Sequence, residues 1–124
     1  MFDHIGINVN NIPTSKLFYE KALQVLGFTA LSEWQDVAIG FGKERPIFWI
    51  AKSDDKHPHS TGVHIAFVVE TRDLVDTFYH DALQAGGKGN GAPGLRPQYH
   101  ANYYGAFVLD IDGNNIEVVC HTAP

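Results

Sequence analysis

Apolar and polar positions along this chain follow the same order twice. Phe2 to Val9 alternates and is rich in β-formers, which predicts a strand. Asn10-Asn11-Ile12-Pro13 then supplies a cap and a proline suited to a first helical turn. A helix is predicted from there to about Val25, with Leu17, Phe18 and Leu26 among its apolar positions and Gly27 as its stop. Phe28–Trp34, Val37–Phe41 and Pro46–Ala51 predict three further strands, the last two joined by a turn at Gly42-Lys43-Glu44-Arg45. In the second half Val63–Val69 predicts a strand, Thr71 caps a helix running to about Ala85, and Gly86-Gly87 ends it. Tyr103–Asp110 and Asn115–Cys120 predict two strands about a turn at Asp112-Gly113-Asn114. Between that helix and those strands, four of the first six residues of the stretch Gly89–Asn102 are proline or glycine. The expectation there is an irregular loop with no counterpart in the first half, of a length usually kept for function.

The two halves are copies. Shifted by sixty residues, positions His4–Gly27 match His64–Gly87 at nine of 24 places without a gap, where chance would give one or two. A repeat of this length occurring only twice is two fused supersecondary units rather than a solenoid. The fold class expected is therefore α+β, one domain over 1–124. Module one (1–52) and module two (62–124) each follow a β-α-β-β-β plan, with a connector at 53–61. That connector is polar, and His57 and His59 with Asp54 and Asp55 are expected to be solvated there rather than to form a metal cluster.

Charge narrows the partners. The net charge is −5 with acids and bases scattered, which argues against a nucleic acid or an anionic membrane. No apolar run approaches the roughly 20 residues of a membrane span. No basic stretch followed by an apolar core opens the sequence, and the single cysteine, Cys120, has no internal disulfide partner, so a reducing cytoplasm is the expectation. Cys120 also falls on the strand face opposite Glu117, where it is expected to pack.

The candidate chemistry lies in three residues. His4 and His64 hold equivalent places at the starts of the two repeated strands. Related modules normally pack about a local two-fold axis, which would set these histidines face to face. Glu117 stands in the last strand among Ile116, Val118 and Val119, where a carboxylate is costly to bury unless paired or bound to a cation. Two imidazoles and a carboxylate make a half-filled coordination shell with room for water or substrate. The metal expected is one divalent ion, Fe, Mn, Ni, Co or Zn.

The repeated plan, Asp3-His4-Ile5 with Phe18-Tyr19, and the ending from Phe107 to Glu117 resemble the vicinal oxygen chelate superfamily, which includes glyoxalase I, extradiol dioxygenases, fosfomycin thiol transferases and bleomycin-binding proteins. The resemblance covers nearly the whole chain. It implies a curved, mostly antiparallel sheet around a cleft, a metal at His4, His64 and Glu117, a substrate bound through adjacent oxygens, and a homodimer whose site is made within one chain or shared between two. The fourth ligand of glyoxalase I, a glutamate that also moves the proton, falls by the repeat on Trp49, which can do neither. The extradiol ending is met at His100 but not at Phe107 or Ile111. The threonine of the fosfomycin enzymes two residues after the first histidine is Gly6.

The function expected is a metalloenzyme of glyoxalase or dioxygenase type, its cation acting as a Lewis acid on a small molecule. His100 is the candidate acid or base, and Tyr104 or Tyr99 a group that orients substrate. Trp49, Arg96, Tyr99 and Tyr103 are candidate substrate contacts. His121, four residues beyond Glu117, is a candidate supporting partner. The alternatives are a metal-free protein that sequesters a drug or metabolite, as bleomycin-binding members do, and a metal held for stability alone.

Overall fold

The computed structural model describes residues 1–124 and contains two four-stranded mixed sheets, each carrying one helix. The first sheet has the order β1-β4-β3-β2, with β1 Ile5–Val9, β2 Thr29–Trp34, β3 Ala38–Gly42 and β4 Pro46–Lys52. The second has the order β5-β8-β7-β6, with β5 His64–Val69, β6 Lys88–Leu95, β7 Tyr104–Leu109 and β8 Asn115–Cys120. In each sheet the first strand lies at an edge, parallel to the last, and the other pairs are antiparallel. This is the expected α+β arrangement of two repeated modules.

Local chemistry accounts for the helices. Helix α1 (Ile12–Ala22) is capped by the Asn11 side chain, which accepts from Thr14 N at 2.9 Å, and Pro13 sits in its first turn, where its missing N–H costs nothing. The α-helix ends three residues earlier than the pattern predicts and tightens into a 3₁₀ turn, Leu23–Leu26, closed by Gly27 at φ +75°. Helix α2 (Arg72–Gln84) is capped by Thr71 and carries Asp73 in its first turn, where a negative charge suits the helix dipole. Both helices bury one stripe: Ile12, Ser15, Phe18, Tyr19 and Ala22 from α1, and Val75, Phe78 and Ala82 from α2.

The expected loop after α2 is corrected at its first half. Residues 88–95 form β6, which pairs with β7 through two register shifts, between Gly89 and Gly91 and between Gly91 and Gly94. Glycine and proline are poor strand formers, but β6 is an edge strand and bulges absorb them, so pairing with β7 overrides local propensity. Module two therefore keeps the full β-α-β-β-β plan. Only the segment from Arg96 to Tyr103 is a true loop. Its neck is closed by Arg96 N donating to Tyr103 O at 2.7 Å.

One core serves both modules. Phe48 of β4 meets Phe67 of β5 edge to face at 5.8 Å, and Phe28 meets Phe67 at 6.1 Å. Tyr19 of α1 donates its hydroxyl to Asp110, whose carboxylate also accepts from Asn114 N at 2.8 Å and Asp112 N at 2.9 Å. Asp110 and Asn114 are buried, so this polar knot fixes α1 against the turn between β7 and β8. The connector runs along β1, with Ser60 exchanging hydrogen bonds with Asn8 and its carbonyl accepting from Asn114.

This packing decides where the two histidine-bearing faces point. Side chains alternate across a strand, so Phe67 lies opposite His64 and Ala66, and Phe48 lies opposite Trp49. Phe48 and Phe67 touch in the interior. The other face of each sheet is consequently turned outward, away from its counterpart. His4 and His64 are not brought face to face within the chain, and no group of three His, Cys, Asp or Glu side chains comes together to hold a metal. No helix is long and apolar enough to cross a membrane.

Candidate active site

The outward face of the second sheet carries a compact set of polar side chains, and strand register dictates its composition. Glu117 stands opposite Phe107 on one side and Ala66 on the other. The next position along the same face is Val119, flanked by Gly105 and Val68. Beyond it the neck of the loop sets Arg96 beside Tyr103, and cross-strand neighbours in an antiparallel pair point to the same side. His121 follows the end of β8, with its ring 5.3 Å from that of Tyr103.

Glu117 is the centre of this set. It is 1 % exposed, and both carboxylate oxygens are engaged. Oε1 accepts from His64 Nε2 at 2.8 Å, and Oε2 accepts from the Tyr103 hydroxyl. Gly105 permits the second contact. A Cβ there would stand 3.3 Å from both Glu117 Oε2 and the Tyr103 ring, so the bare backbone lets the phenol lean across the sheet. Burial, and then its bond to Glu117, push the Tyr103 phenol above its ordinary range, which keeps it a neutral donor. His64 is half exposed on the open side of Glu117. Its strand, β5, pairs only with β8, and Val68 on the same face is 64 % exposed. A bare strand edge with an exposed apolar side chain is a surface that proteins normally cover.

A second pair backs Tyr103. Asn102 N donates to His100 Nδ1 at 3.0 Å, which leaves the His100 proton on Nε2. That nitrogen lies 2.6 Å from His121 Nδ1, so His100 donates and the His121 proton sits on its own Nε2. The His100 ring is 5.5 Å from Tyr103, and Tyr99 packs against Tyr103 at 4.8 Å. His100, His121, Tyr99 and Tyr103, all singled out from the sequence, thus gather around one side of Glu117.

Other expected residues lie elsewhere. Tyr104 is on the opposite face, donating to Asp76 of α2 at 2.6 Å with the Arg72 guanidinium over its ring. As the immediate neighbour of Tyr103 in an extended strand it points away from that face, and the structure does not bring it to this set. Trp49 pairs with Gly6 as Glu117 pairs with Ala66, and its indole lies across Gly40 on the outward face of the first sheet. His4, beside Asp3 at 2.8 Å and with Arg45 also reaching Asp3, is exposed there. Cys120 is buried, as expected. The connector histidines make no cluster; Asp54 instead caps a local turn by accepting from Lys56 N and His57 N. Phe107 was not singled out, yet its ring lies 6.1 Å from that of His64. Register with Glu117 is the signal that identifies it, and register is not visible before the strands are paired. The largest cavity, about 500 Å³ between the start of α1 and the β2–β3 hairpin, lies apart from this set, because the site is an open face rather than an enclosed pocket.

The donors present fit a cation. His64 Nε2 and Glu117 Oε1 are a nitrogen and an oxygen ligand on one open face, and a divalent ion would take the place of the hydrogen bond that joins them at 2.8 Å.

Comparisons with known proteins agree with this architecture. The model of the Glyoxalase/Bleomycin resistance protein/Dioxygenase superfamily matches residues 1–118. No curated protein matches the chain. Among solved structures, a glyoxalase/bleomycin resistance protein from Albidiferax ferrireducens superposes with a TM-score of 0.84 at 25 % identity, covering 98 % of this chain and 99 % of its own. A lactoylglutathione lyase from Agrobacterium tumefaciens follows at TM-score 0.69 and 15 % identity, covering 96 % and 92 %. A mutant fosfomycin resistance protein from Listeria monocytogenes, complexed with Mn(II) and 1S,2S-dihydroxypropylphosphonic acid, gives 0.72 and 17 %, covering 98 % and 90 %. At these last identities the likeness is one of fold.

Proposed function

Because the chain belongs to the Glyoxalase/Bleomycin resistance protein/Dioxygenase superfamily, we propose that it is a metal-dependent enzyme of the lyase, isomerase or dioxygenase kind, acting on a small molecule with two adjacent oxygens. His64 and Glu117 would hold the divalent ion together with His4 of a second copy in a homodimer. The observation that carries this reading is the buried Glu117 carboxylate, bonded to a half-exposed His64 on an outward face beside a bare strand edge. A second copy laying its first sheet on that face would cover the edge and bring His4 and Trp49 to the site.

When bound, the ion supplies Lewis acidity toward the paired oxygens. The chain's own groups divide the remaining work. Tyr103 fixes the orientation of Glu117 by occupying Oε2. His100 and His121 hold a proton whose place is set by Asn102 N, one ring away from Tyr103. Trp49, whose indole neither gives up nor takes a proton near neutral pH, would make the facing wall apolar. A second carboxylate is therefore missing where glyoxalase I chemistry has one, and proton movement would fall to the histidine pair.

Metal content measured by mass spectrometry tests the reading. Near one ion per chain is expected in the wild type after anaerobic loading with Fe(II), Mn(II), Ni(II) or Zn(II), with loss in both His4→Ala and Glu117→Gln. Absence of uptake from all four would refute the enzyme and leave a sequestering protein. Retention in His4→Ala alone would refute the shared centre.

A further inference from the structure

We propose that Arg96 binds a carboxylate on the substrate, so that the molecule this site accepts is an anion carrying its negative group one aromatic ring away from its paired oxygens. The proposal rests on the reading of His64 and Glu117 as the metal end of the same site, and adds the other end.

Arg96 is built into the site rather than left on a mobile loop. Its Nη1 donates to Gly94 O and its Nη2 to Ala92 O, both at 2.8 Å. The guanidinium lies over the Phe107 ring at 5.4 Å. The bulges of β6 make the seat: a Cβ on Gly91 would come within 3.3 Å of Nη2 and 2.8 Å of Phe107, and one on Gly94 within 3.2 Å of Nη1. The irregular, glycine-rich course of β6 thus follows the outline of this cation.

Its surroundings leave the charge uncompensated. Arg96 takes part in none of the chain's ion pairs. Two backbone carbonyls orient a guanidinium but do not neutralise it, and three of its five N–H donors remain free. Glu117, the buried acid of this face, is already shared between His64 and Tyr103. With a divalent ion added, the face would be net positive on a chain whose net charge is −5. A positive patch on an acidic protein concentrates small anions there.

Position fixes the ligand's shape. Arg96 and Tyr103 are neighbours across the loop neck. Phe107 lies between Arg96 and His64, 5.4 Å from the one and 6.1 Å from the other. A ligand with its oxygens at the His64–Glu117 end and a carboxylate at Arg96 would lie along that ring. Arginine's planar fork suits a carboxylate better than a point charge would.

The test has two parts. In chelator-treated protein, titration with benzoate is expected to shift the Arg96 side-chain N–H resonance, whereas benzamide, of the same shape without the charge, leaves it in place. No benzoate-dependent shift would overturn the proposal whatever the metal does, and a shift in protein that takes up no metal would uphold Arg96 while refuting the metalloenzyme reading. In Mn(II)-loaded protein, the affinity of 3,4-dihydroxybenzoate is compared with that of catechol, which has the same paired oxygens and no carboxylate. The wild type is expected to favour the carboxylate about tenfold or more. Arg96→Gln should bring the ratio close to one, and Arg96→Lys should keep part of it. The ratio within each protein is the readout, so a variant that merely loosens the loop weakens both ligands alike and leaves the preference standing. A preference that survives Arg96→Gln, or is absent from the wild type, overturns the proposal.

Discussion

Mixing two inactive variants should restore metal binding. If each centre takes His4 from one chain and His64 with Glu117 from the other, a dimer of one His4→Ala chain and one Glu117→Gln chain has one centre with both defects and one with neither. Random reassortment makes about half the dimers mixed, and each keeps one centre of two, so metal content should rise from background to about a quarter of wild type. A centre within one chain predicts no rise. The reciprocal mixture gives the opposite contrast. Chains carrying both substitutions, mixed with an equal amount of wild type, should leave about a quarter of the centres if they are shared and about a half if they are not. The premise is structural: Phe48 and Phe67 meet in the core, which turns the two histidine-bearing faces apart. The assay is metal per chain by mass spectrometry after reassortment, with mixed dimers verified by native mass. Background metal in verified mixed dimers would refute the shared arrangement, as would a half rather than a quarter in the reciprocal case.

Two further outcomes are expected. Tyr19→Phe removes a buried donor from Asp110, which keeps its bonds from Asn114 and Asp112; the cost should be about 1–2 kcal/mol, lowering Tm by about 4–8 °C, and an unchanged Tm would show that the knot between modules does not bear on stability. Burial, and then the neighbouring Asp110 charge, hold the Tyr19 phenol well above its ordinary value. A raised folded value means that its contribution to stability is fully present below the unfolded value near 10 and is lost as pH climbs above it. Phenolate absorbance should therefore fall short of five tyrosines at the first alkaline step, the rest ionising only as helical circular dichroism disappears. Full ionisation with the fold intact would contradict the burial.

The places where sequence and structure part company share a cause. Residues 89–95 read as a loop because glycine and proline weigh heavily in local propensity, yet an edge strand needs only one partner, and β7 supplies it through two bulges. By residue type Tyr104 is the candidate orienting group and Tyr103 a candidate substrate contact. Alternation requires them on opposite faces, and the register of β7 against β8 decides that Tyr103 is the one beside Glu117. Phe107, Gly105 and the seat of Arg96 became recognisable only once that register was known.

The sequence by itself determined the two modules, the strand faces that carry His4, His64 and Glu117, and the apolar replacement at Trp49. Those depend on a repeat and on a side-chain period of two, both of which are local and written in residue order. Only the tertiary structure decided that the two halves of the candidate centre face apart. That outcome depends on which apolar faces meet in the core, through pairs such as Phe48 with Phe67 and Tyr19 with Asp110 that lie far apart in the chain. Burial is non-directional, and the alternation pattern shows only that each sheet has an inner face, not which inner face it will meet.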